Sequence, residues 1–60
     1  MRCVAIYEFE GDEAGGELSF PVGVEMDVVS TDVGGGWWEG ILDGRRGVFP
    51  ASYVQVSISS

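Results

Sequence analysis

Histidine and lysine are absent from this 60-residue sequence, and cysteine occurs once, at Cys3. No serine stands in a nucleophile elbow, and no phosphate-cradling glycine motif leads into a helix, so a nucleophile, a base and oxyanion donors cannot be assembled. A single cysteine cannot form an internal disulfide or a cysteine-based metal site, and it fits a reducing compartment. We therefore expect no enzyme activity, no cofactor and no metal site.

The acidic residues Glu10, Asp12 and Glu13 raise the question of calcium binding. The chain lacks the ligand frame of about twelve residues that ends in a bidentate glutamate. A calcium site is therefore not expected either.

Long hydrophobic runs are also missing. No apolar run approaches the roughly 18 residues that a membrane-spanning helix needs, and the start of the chain lacks the basic residues and apolar stretch of a signal peptide. Direct membrane insertion is not expected, and the predicted location is cytoplasmic. Residues 1–60 have room for one domain with one core, which we expect to be a monomer in isolation.

Basic residues are scarce, because ten acidic residues stand against three arginines and give a net charge of −7. This charge repels phosphate backbones and anionic lipid surfaces. No basic stripe with interleaved aromatic residues is present, so binding to nucleic acid is not expected. The natural partner should carry positive charge.

The residues that are abundant predict β-structure. Apolar residues make up 45% of the chain, and ten glycines and two prolines separate short apolar runs, as is typical of all-β barrels and sandwiches. Alternation predicts a first strand over residues 2–9 and further apolar segments over residues 18–20 and 26–28. Residues 10–17 are acidic and glycine-rich, which predicts a solvated loop whose carboxylates stay mobile until a ligand orders them.

The second half of the chain contains a hairpin signal. Asp43 and Gly44 lie between the apolar runs 37–42 and 45–50. Both central positions of a type I′ turn need a positive φ, which this dipeptide tolerates. We therefore predict two strands joined by a tight turn.

The tryptophan pair and the end of this hairpin make two further predictions. Neighbours in a strand point to opposite faces, so one of Trp37 and Trp38 must face outward. Pro50 cannot donate to a ladder and ends its strand. A single helical turn over residues 51–53 and a last strand over residues 54–56 complete the predicted set of five strands.

Four motifs resemble, in order and spacing, the signatures of the Src homology 3 (SH3) domain family. They are AIYEF at residues 5–9, ELSF at 17–20, GWWEG at 36–40 and GVFPASYV at 47–54. The match runs from residue 3 to residue 56. The resemblance implies an all-β fold, a small five-stranded SH3-like barrel of two packed antiparallel sheets with one 3-10 turn.

The resemblance also assigns the loops and the interior. Residues 10–17 correspond to the family's RT loop and residues 30–36 to its n-Src loop. Trp37 matches the outward, ligand-binding tryptophan, whereas Trp38 packs on the opposite surface of its strand. The positions that match the family's buried residues are Cys3, Ala5, Leu18, Phe20, Met26, Val28, Gly40, Phe49 and Val54.

The family's peptide groove has its counterpart in five residues, and carboxylates flank it. The groove residues implied by the resemblance are Tyr7, Phe9, Trp37, Pro50 and Tyr53. Glu17 matches the position that pairs with a ligand arginine or lysine, and Asp12, Glu13 and, across the groove, Asp32 are expected to assist it.

Two positions of the groove depart from the family pattern. Val48 stands where many members have an aromatic residue, and Ser52 stands where many have an asparagine whose amide bonds a ligand carbonyl. We therefore expect a shallower groove with lower affinity.

These residue types suit the recognition of proline-rich peptides. A polyproline II helix has about three residues per turn and no internal hydrogen bonds, and we expect flat, parallel rings to leave slots for its prolines. The polar tips of tyrosine and tryptophan can donate to ligand carbonyls. The predicted partners are PxxP segments of other proteins that carry arginine or lysine, and the predicted role is a non-catalytic adaptor in signalling.

Other interpretations stay open at this point. Tyr7 and Tyr53 also fit half-buried strand residues, and the RT-loop carboxylates also fit a merely solvated loop. A second functional hypothesis is a structural module that packs on its parent chain or on a folded partner through the same surface.

A narrower resemblance concerns the n-Src loop. The sequence DVGGGW at residues 32–37 and the Met1 start are similar to amino-terminal modules of sorting nexins. This similarity implies a role in endocytosis.

Overall fold

The structure, a computed structural model, describes residues 1–57 as five strands and two short 3-10 helices. In chain order these elements are β1 (Arg2–Ala5), η1 (Glu13–Gly15), β2 (Glu25–Ser30), β3 (Trp37–Leu42), β4 (Arg45–Pro50), η2 (Ala51–Tyr53) and β5 (Val54–Ser57). The predicted helical turn is present as η2, and η1 was not predicted. No helix in this part of the chain is long and apolar enough to cross a membrane.

The five strands form one antiparallel sheet in the order β4-β3-β2-β1-β5. The register of β2 against β3 shifts between Val28 and Ser30, and a bulge of this kind bends a strand and increases its twist. Within residues 1–57, β4 and β5 do not pair with each other, so the sheet is open. The predicted five-stranded, all-β architecture is confirmed, and the two predicted sheets are two parts of one continuous sheet.

The core explains how this sheet curls. Strands from both ends of the sheet, β5 and β4, supply side chains to the same buried cluster, so the sheet must fold over that cluster. Burying one large apolar side chain contributes about 1.5–3 kcal/mol. The cluster consists of Cys3, Ala5, Leu18, Phe20, Met26, Val28, Phe49 and Val54. All these predicted core residues are confirmed, and Gly40 is buried as well.

The predicted hairpin is also confirmed. Asp43 and Gly44 connect β3 to β4, and both have a positive φ, of 52° and 80°. The pairing of Gly40 with Gly47 and of Trp38 with Phe49 continues the ladder along the hairpin. This hairpin therefore fixes which residues of β3 and β4 share a face.

The two tryptophans lie on opposite faces of β3, as alternation requires. Trp38 packs against the core cluster together with Leu42, on the same side as Gly40. Trp37 lies on the other face, where its partner across the ladder is Pro50.

The first strand is shorter than predicted, because other segments take over its hydrogen bonds after Ala5. The amide of Ala5 donates to Val24 and its carbonyl accepts from Gly23, at 2.9 and 2.8 Å. Phe9 and Phe20 form an isolated two-bond bridge outside the five strands. Alternation therefore placed the end of the strand too late.

The RT loop has more internal structure than its composition predicted. The carbonyl of Asp12 accepts hydrogen bonds from the amides of Gly15 and Glu17, at 2.9 and 3.0 Å, and Gly16 donates to Glu13. These bonds build η1 from the backbone alone. Apolar periodicity could not predict this turn, because its residues bury no side chain.

The turn of the hairpin makes one prediction about stability. At a φ of 80°, a side chain at Gly44 brings Cβ close to the following carbonyl oxygen, which costs roughly 1–2 kcal/mol. Gly44→Ala should lower the free energy of unfolding by that amount in urea denaturation followed by tryptophan fluorescence. Asp43→Asn is the control, because asparagine tolerates a positive φ, and it should change stability by less than about 0.5 kcal/mol. Equal effects of the two substitutions would contradict this account of the turn.

The buried thiol makes a prediction about pH. Burial raises the pKa of Cys3, Asp27 raises it further, and the N-terminal amine opposes the shift. The thiol of the unfolded chain ionises near its ordinary pKa of about 8.5, whereas the folded state keeps it neutral to higher pH.

The contribution of this thiol to the free energy of unfolding should therefore be fully present below about pH 8.5. Above that pH the free energy of unfolding should fall by up to about 1.4 kcal/mol per pH unit, until the pH passes the pKa of the folded state. Urea denaturation over a pH series measures this slope. Cys3→Ala should lack this part of the slope, and identical slopes in both proteins would contradict the prediction.

Candidate functional site

An exposed set of rings lies where η2, β3 and the residues after β1 meet. We call Tyr7, Phe9, Trp37, Pro50 and Tyr53 the aromatic platform. Ring centroids are 5.8 Å apart for Tyr7 and Tyr53, 5.4 Å for Phe9 and Tyr53, and 6.0 Å for Phe9 and Trp37. The structure therefore brings together the five groove residues that the resemblance implied.

The rings are not parallel, which corrects one expectation. The three pairs meet at interplanar angles of 72°, 78° and 70°. Edge-to-face contact is favoured because the positive edge of one ring meets the negative face of the next. The surface is therefore corrugated by tilted rings rather than by a stack of parallel plates.

Phe9 connects this surface to the core. Its ring lies 5.7 Å from that of Phe20, and Phe20 lies 5.8 Å from the fully buried Phe49. The backbones of Phe9 and Phe20 also exchange two hydrogen bonds, of 3.0 and 2.8 Å. Tyr53 also packs against the core cluster, so the platform is anchored to the interior through Phe9 and Tyr53.

Backbone hydrogen bonds hold the remaining platform segments in place. The carbonyl of Tyr53 accepts from the amides of Ile6 and Tyr7, at 2.9 and 3.3 Å, and the amide of Ala51 donates to Gly36 at 2.9 Å. These bonds join η2 to the segment after β1 and to the n-Src loop. Segments far apart in sequence therefore meet with a fixed geometry.

The platform offers both apolar faces and free donors. Tyr7 is 60% exposed, and Phe9, Trp37 and Tyr53 are half-buried. Within residues 1–57, neither tyrosine hydroxyl nor the indole N–H of Trp37 makes a hydrogen bond. These groups are free to donate to acceptors outside the fold.

Glu17 lies beside the platform at the edge of β4. A parallel bridge places it next to Val48, whose amide donates to Gly16 and whose carbonyl accepts from Leu18, both at 2.9 Å. Val48 shares its face of β4 with Pro50, since the two are separated by one residue of the strand. One oxygen of Glu17, Oε1, accepts a 2.8 Å hydrogen bond from the amide of Asp12.

Gly11 lies between the side chain of Glu17 and the ring of Phe9. A Cβ at Gly11 would lie 2.9 Å from Cε2 of Phe9 and 2.7 Å from Cβ of Glu17, and it would also collide with the carbonyl of Leu18. The hydroxyl of Ser19 accepts from the amide of Gly11 at 2.9 Å and donates to its carbonyl at 3.2 Å. Sequence reasoning assigned no role to either residue, because their hydrogen bonds join positions that are eight residues apart in the chain.

Glu13 has a different environment from Glu17. Its Oε1 accepts from Nη1 of Arg45 in the β3–β4 hairpin at 3.2 Å. A depression of about 310 Å³ lies here, lined by Glu13, Gly16, Glu17, Leu18, Ser19, Arg45 and Arg46. No residue of the aromatic platform lines it. The ion pair with Arg45 places Glu13 between the RT loop and the hairpin, whereas Glu17 borders this depression and is also bridged to Val48.

Asp32 and Ser52 are exposed residues at the edge of the site. Asp32 lies in the n-Src loop, where its amide donates to Oγ of Ser30 at 3.3 Å. Ser52 lies in η2, between Ala51 and Tyr53. Neither side chain makes a hydrogen bond to another side chain within residues 1–57.

The charges near the platform are not balanced within the described chain. Arg2 pairs with Asp27 at 3.3 Å, Arg45 with Glu13, and Arg46 with Glu39 at 2.8 Å. The last pair raises the pKa of Arg46 through its hydrogen bond to Glu39. All three arginines thus pair with other carboxylates, and Glu17 and Asp32 form no ion pair among residues 1–57.

Comparison with known proteins gives relatives along nearly the whole chain. A family model described as the variant SH3 domain matches residues 5–55. The SH3 domain-containing YSC84-like protein 1 of Bos taurus is 48% identical over 58 residues, which cover 95% of this chain and 17% of that protein. The chain therefore spans about a sixth of the length of this relative.

Solved structures agree with this match. The Acanthamoeba myosin I SH3 domain bound to Acan125 has a TM-score of 0.81 and 42% identity, with 90% of each chain covered. The C-terminal SH3 domain of myosin IB from Entamoeba histolytica, bound to an EhFP10(GEF) peptide, has a TM-score of 0.86 and 32% identity, covering 98% of this chain and 85% of that one. On the match over residues 5–55 and on these relatives, the chain belongs to the SH3 domain family.

Proposed function

We propose that this domain binds PxxP segments of other proteins in the polyproline II conformation, next to an arginine or lysine of the ligand. SH3 domains are non-catalytic peptide-binding modules. The observation that carries the proposal is the aromatic platform, with its free donors and with Glu17 beside it. The apolar rings would contact the prolines, and Glu17 would attract the basic residue.

The geometry of the rings supports a ligand of this kind. A polyproline II helix presents ridges and leaves its own carbonyls unpaired, with little conformational entropy left to lose. Tilted rings make a surface with ridges and clefts, and the hydroxyls of Tyr7 and Tyr53 can donate to those carbonyls. A flat apolar patch without donors would leave the ligand carbonyls without partners.

Charge is the smaller contribution to affinity. An exposed ion pair contributes about 0.2–1 kcal/mol, and a charge-assisted hydrogen bond that is partly shielded contributes about 1.5–3 kcal/mol. The rings therefore supply most of the affinity and Glu17 selects among proline-rich ligands. The contact is smaller than a standard interface of about 1,600 Å², so binding should be weak and transient.

Val48 and Ser52 limit the affinity further. Val48 is half-buried beside Glu17 and offers no ring face, and the short side chain of Ser52 is exposed. We expect that both positions reduce contact with the peptide at this end of the platform.

The cellular role follows from the same proposal. A weak, reversible peptide contact suits an adaptor, and avidity from neighbouring sites strengthens such contacts. We still predict a cytoplasmic location and roles in signalling and endocytosis. We also predict that residues 1–60 form one domain, which is a monomer in isolation.

The first test of the proposal concerns Trp37. Trp37→Ala removes a central ring of the platform and should weaken the binding of a PxxP peptide at least about tenfold, as loss of a buried aromatic contact does at interfaces. Titration followed by ¹H–¹⁵N NMR measures the affinity and shows whether the variant is folded.

Ile41→Ala is the matched control, because Ile41 lies on the same strand and the same face but opposite Arg46, away from the platform. It should leave the affinity within about twofold. Equal losses in two folded variants would contradict the assignment of the binding surface.

The second test concerns the charge of Glu17. Glu17→Gln keeps an oxygen for the Asp12 amide and removes the charge, so affinity for an arginine-containing peptide should fall about two- to fivefold at low salt. The same substitution should have no effect on a peptide whose arginine is replaced by norleucine. Glu25→Gln, on β2, changes the net charge equally and should have little effect. If Glu25→Gln weakens binding as much as Glu17→Gln does, the effect comes from the net charge of the domain. That result would contradict a direct pairing of Glu17 with the ligand arginine.

A further inference from the structure

The carboxylates of the RT loop are already partly occupied inside the domain. Oε1 of Glu17 accepts the amide of Asp12 at 2.8 Å, and the amide of Glu17 donates back to the carbonyl of Asp12 at 3.0 Å. Oε1 of Glu13 accepts from Arg45 at 3.2 Å. Glu17, unlike Glu13, is bridged to Val48, which shares a face of β4 with Pro50, and the second oxygen of Glu17 has no hydrogen-bond partner among residues 1–57.

This occupancy matters for the choice between arginine and lysine. Arginine gains its advantage over lysine when its planar fork donates two parallel hydrogen bonds to both oxygens of one carboxylate. The ring of two hydrogen bonds between Asp12 and Glu17 holds the carboxylate with Oε1 turned toward the loop backbone. A bidentate guanidinium would have to share Oε1 with the Asp12 amide, which already uses one lone pair of that oxygen.

A second source of preference for arginine is stacking on an aromatic face. The residue bridged to Glu17 is Val48, which has no ring. Trp37 is the aromatic side chain of β3 on this face, and a tryptophan face attracts an ammonium as well as a guanidinium. Glu17 therefore offers one oxygen that no hydrogen bond of the loop uses, and Trp37 offers a ring that both cations can use.

We infer that this domain reads the basic residue of its ligand as a single positive charge, so that lysine serves as well as arginine. The inference rests on the proposed function and specifies the ligand class of the same site. It follows from the hydrogen bond between Asp12 and Glu17 together with the aliphatic residue at Val48.

The direct test uses three PxxP peptides that differ only at the basic position, which is arginine, lysine or norleucine. Affinities are measured at low salt by NMR titration. Arginine should bind no more than about threefold tighter than lysine, and both should bind tighter than norleucine. A larger preference for arginine would overturn the inference and leave the proposed function intact. Absence of binding by all three peptides would overturn the proposed function and the inference with it.

Asp12→Pro tests the cause, because proline has no backbone amide to donate to Glu17. The φ of Asp12, −85°, lies close to the value that proline fixes. Asp12→Ala is the matched control, since it removes the same carboxylate and keeps the amide. The preference for arginine over lysine should rise at least about threefold in Asp12→Pro relative to Asp12→Ala. An unchanged preference in the folded variant would overturn the inference.

A measurement on the unmodified domain keeps the inference testable if Asp12→Pro does not fold. The hydrogen bond of the Asp12 amide is followed by its temperature coefficient and hydrogen-exchange rate in the complexes with the arginine and lysine peptides. The bond should persist in both complexes. Its loss in the arginine complex alone would show that arginine takes both oxygens of Glu17, and would overturn the inference.

Discussion

The contact between the rings of Phe9 and Phe20, at 5.7 Å, is the interaction on which the aromatic platform depends. Phe20 belongs to the core cluster, and Phe9 touches Tyr53 and Trp37 on the surface. Binding sites keep their geometry when packed neighbours lock the rotamers of their side chains. Through Phe9, a surface built from distant segments acquires the order of the close-packed interior.

The basic residues of the chain form ion pairs within residues 1–57, whereas Glu17 does not. The three arginines pair with Asp27, Glu13 and Glu39, so the positive charge of the chain is used within the fold. Gly11 has no Cβ to separate the side chain of Glu17 from the ring of Phe9, so Glu17 lies close to the platform. The carboxylate of Glu17, which has no basic partner among residues 1–57, therefore lies beside a set of partly exposed rings. A ligand that carries a positive charge can contact the carboxylate and the rings together.

Local rules predicted much of the fold and only part of the site. Asp43 and Gly44 predicted the hairpin, because the positive φ of a type I′ turn is a property of two adjacent residues. Alternation placed Cys3 and Met26 in the core, because strand periodicity depends on neighbours alone, and the resemblance placed Phe49 there.

The features that sequence reasoning missed depend on contacts between distant residues. The end of β1 is set by hydrogen bonds to Val24 and Gly23, and Glu13 meets Arg45 across 32 positions of the chain. The angles between the platform rings depend on how η2, β3 and the segment after β1 meet, and the hydrogen bond from Asp12 to Glu17 depends on the fold of the RT loop. The resemblance named the groove residues but could not supply these geometries.

The central claim is that proline rings of a ligand rest against the aromatic platform. Intermolecular NOEs between a PxxP peptide and the ¹³C-labelled domain test it most directly. The account predicts NOEs from proline protons to the rings of Tyr7, Tyr53 and Trp37. NOEs confined to the depression around Leu18 and Arg45, with none to these rings, would contradict it.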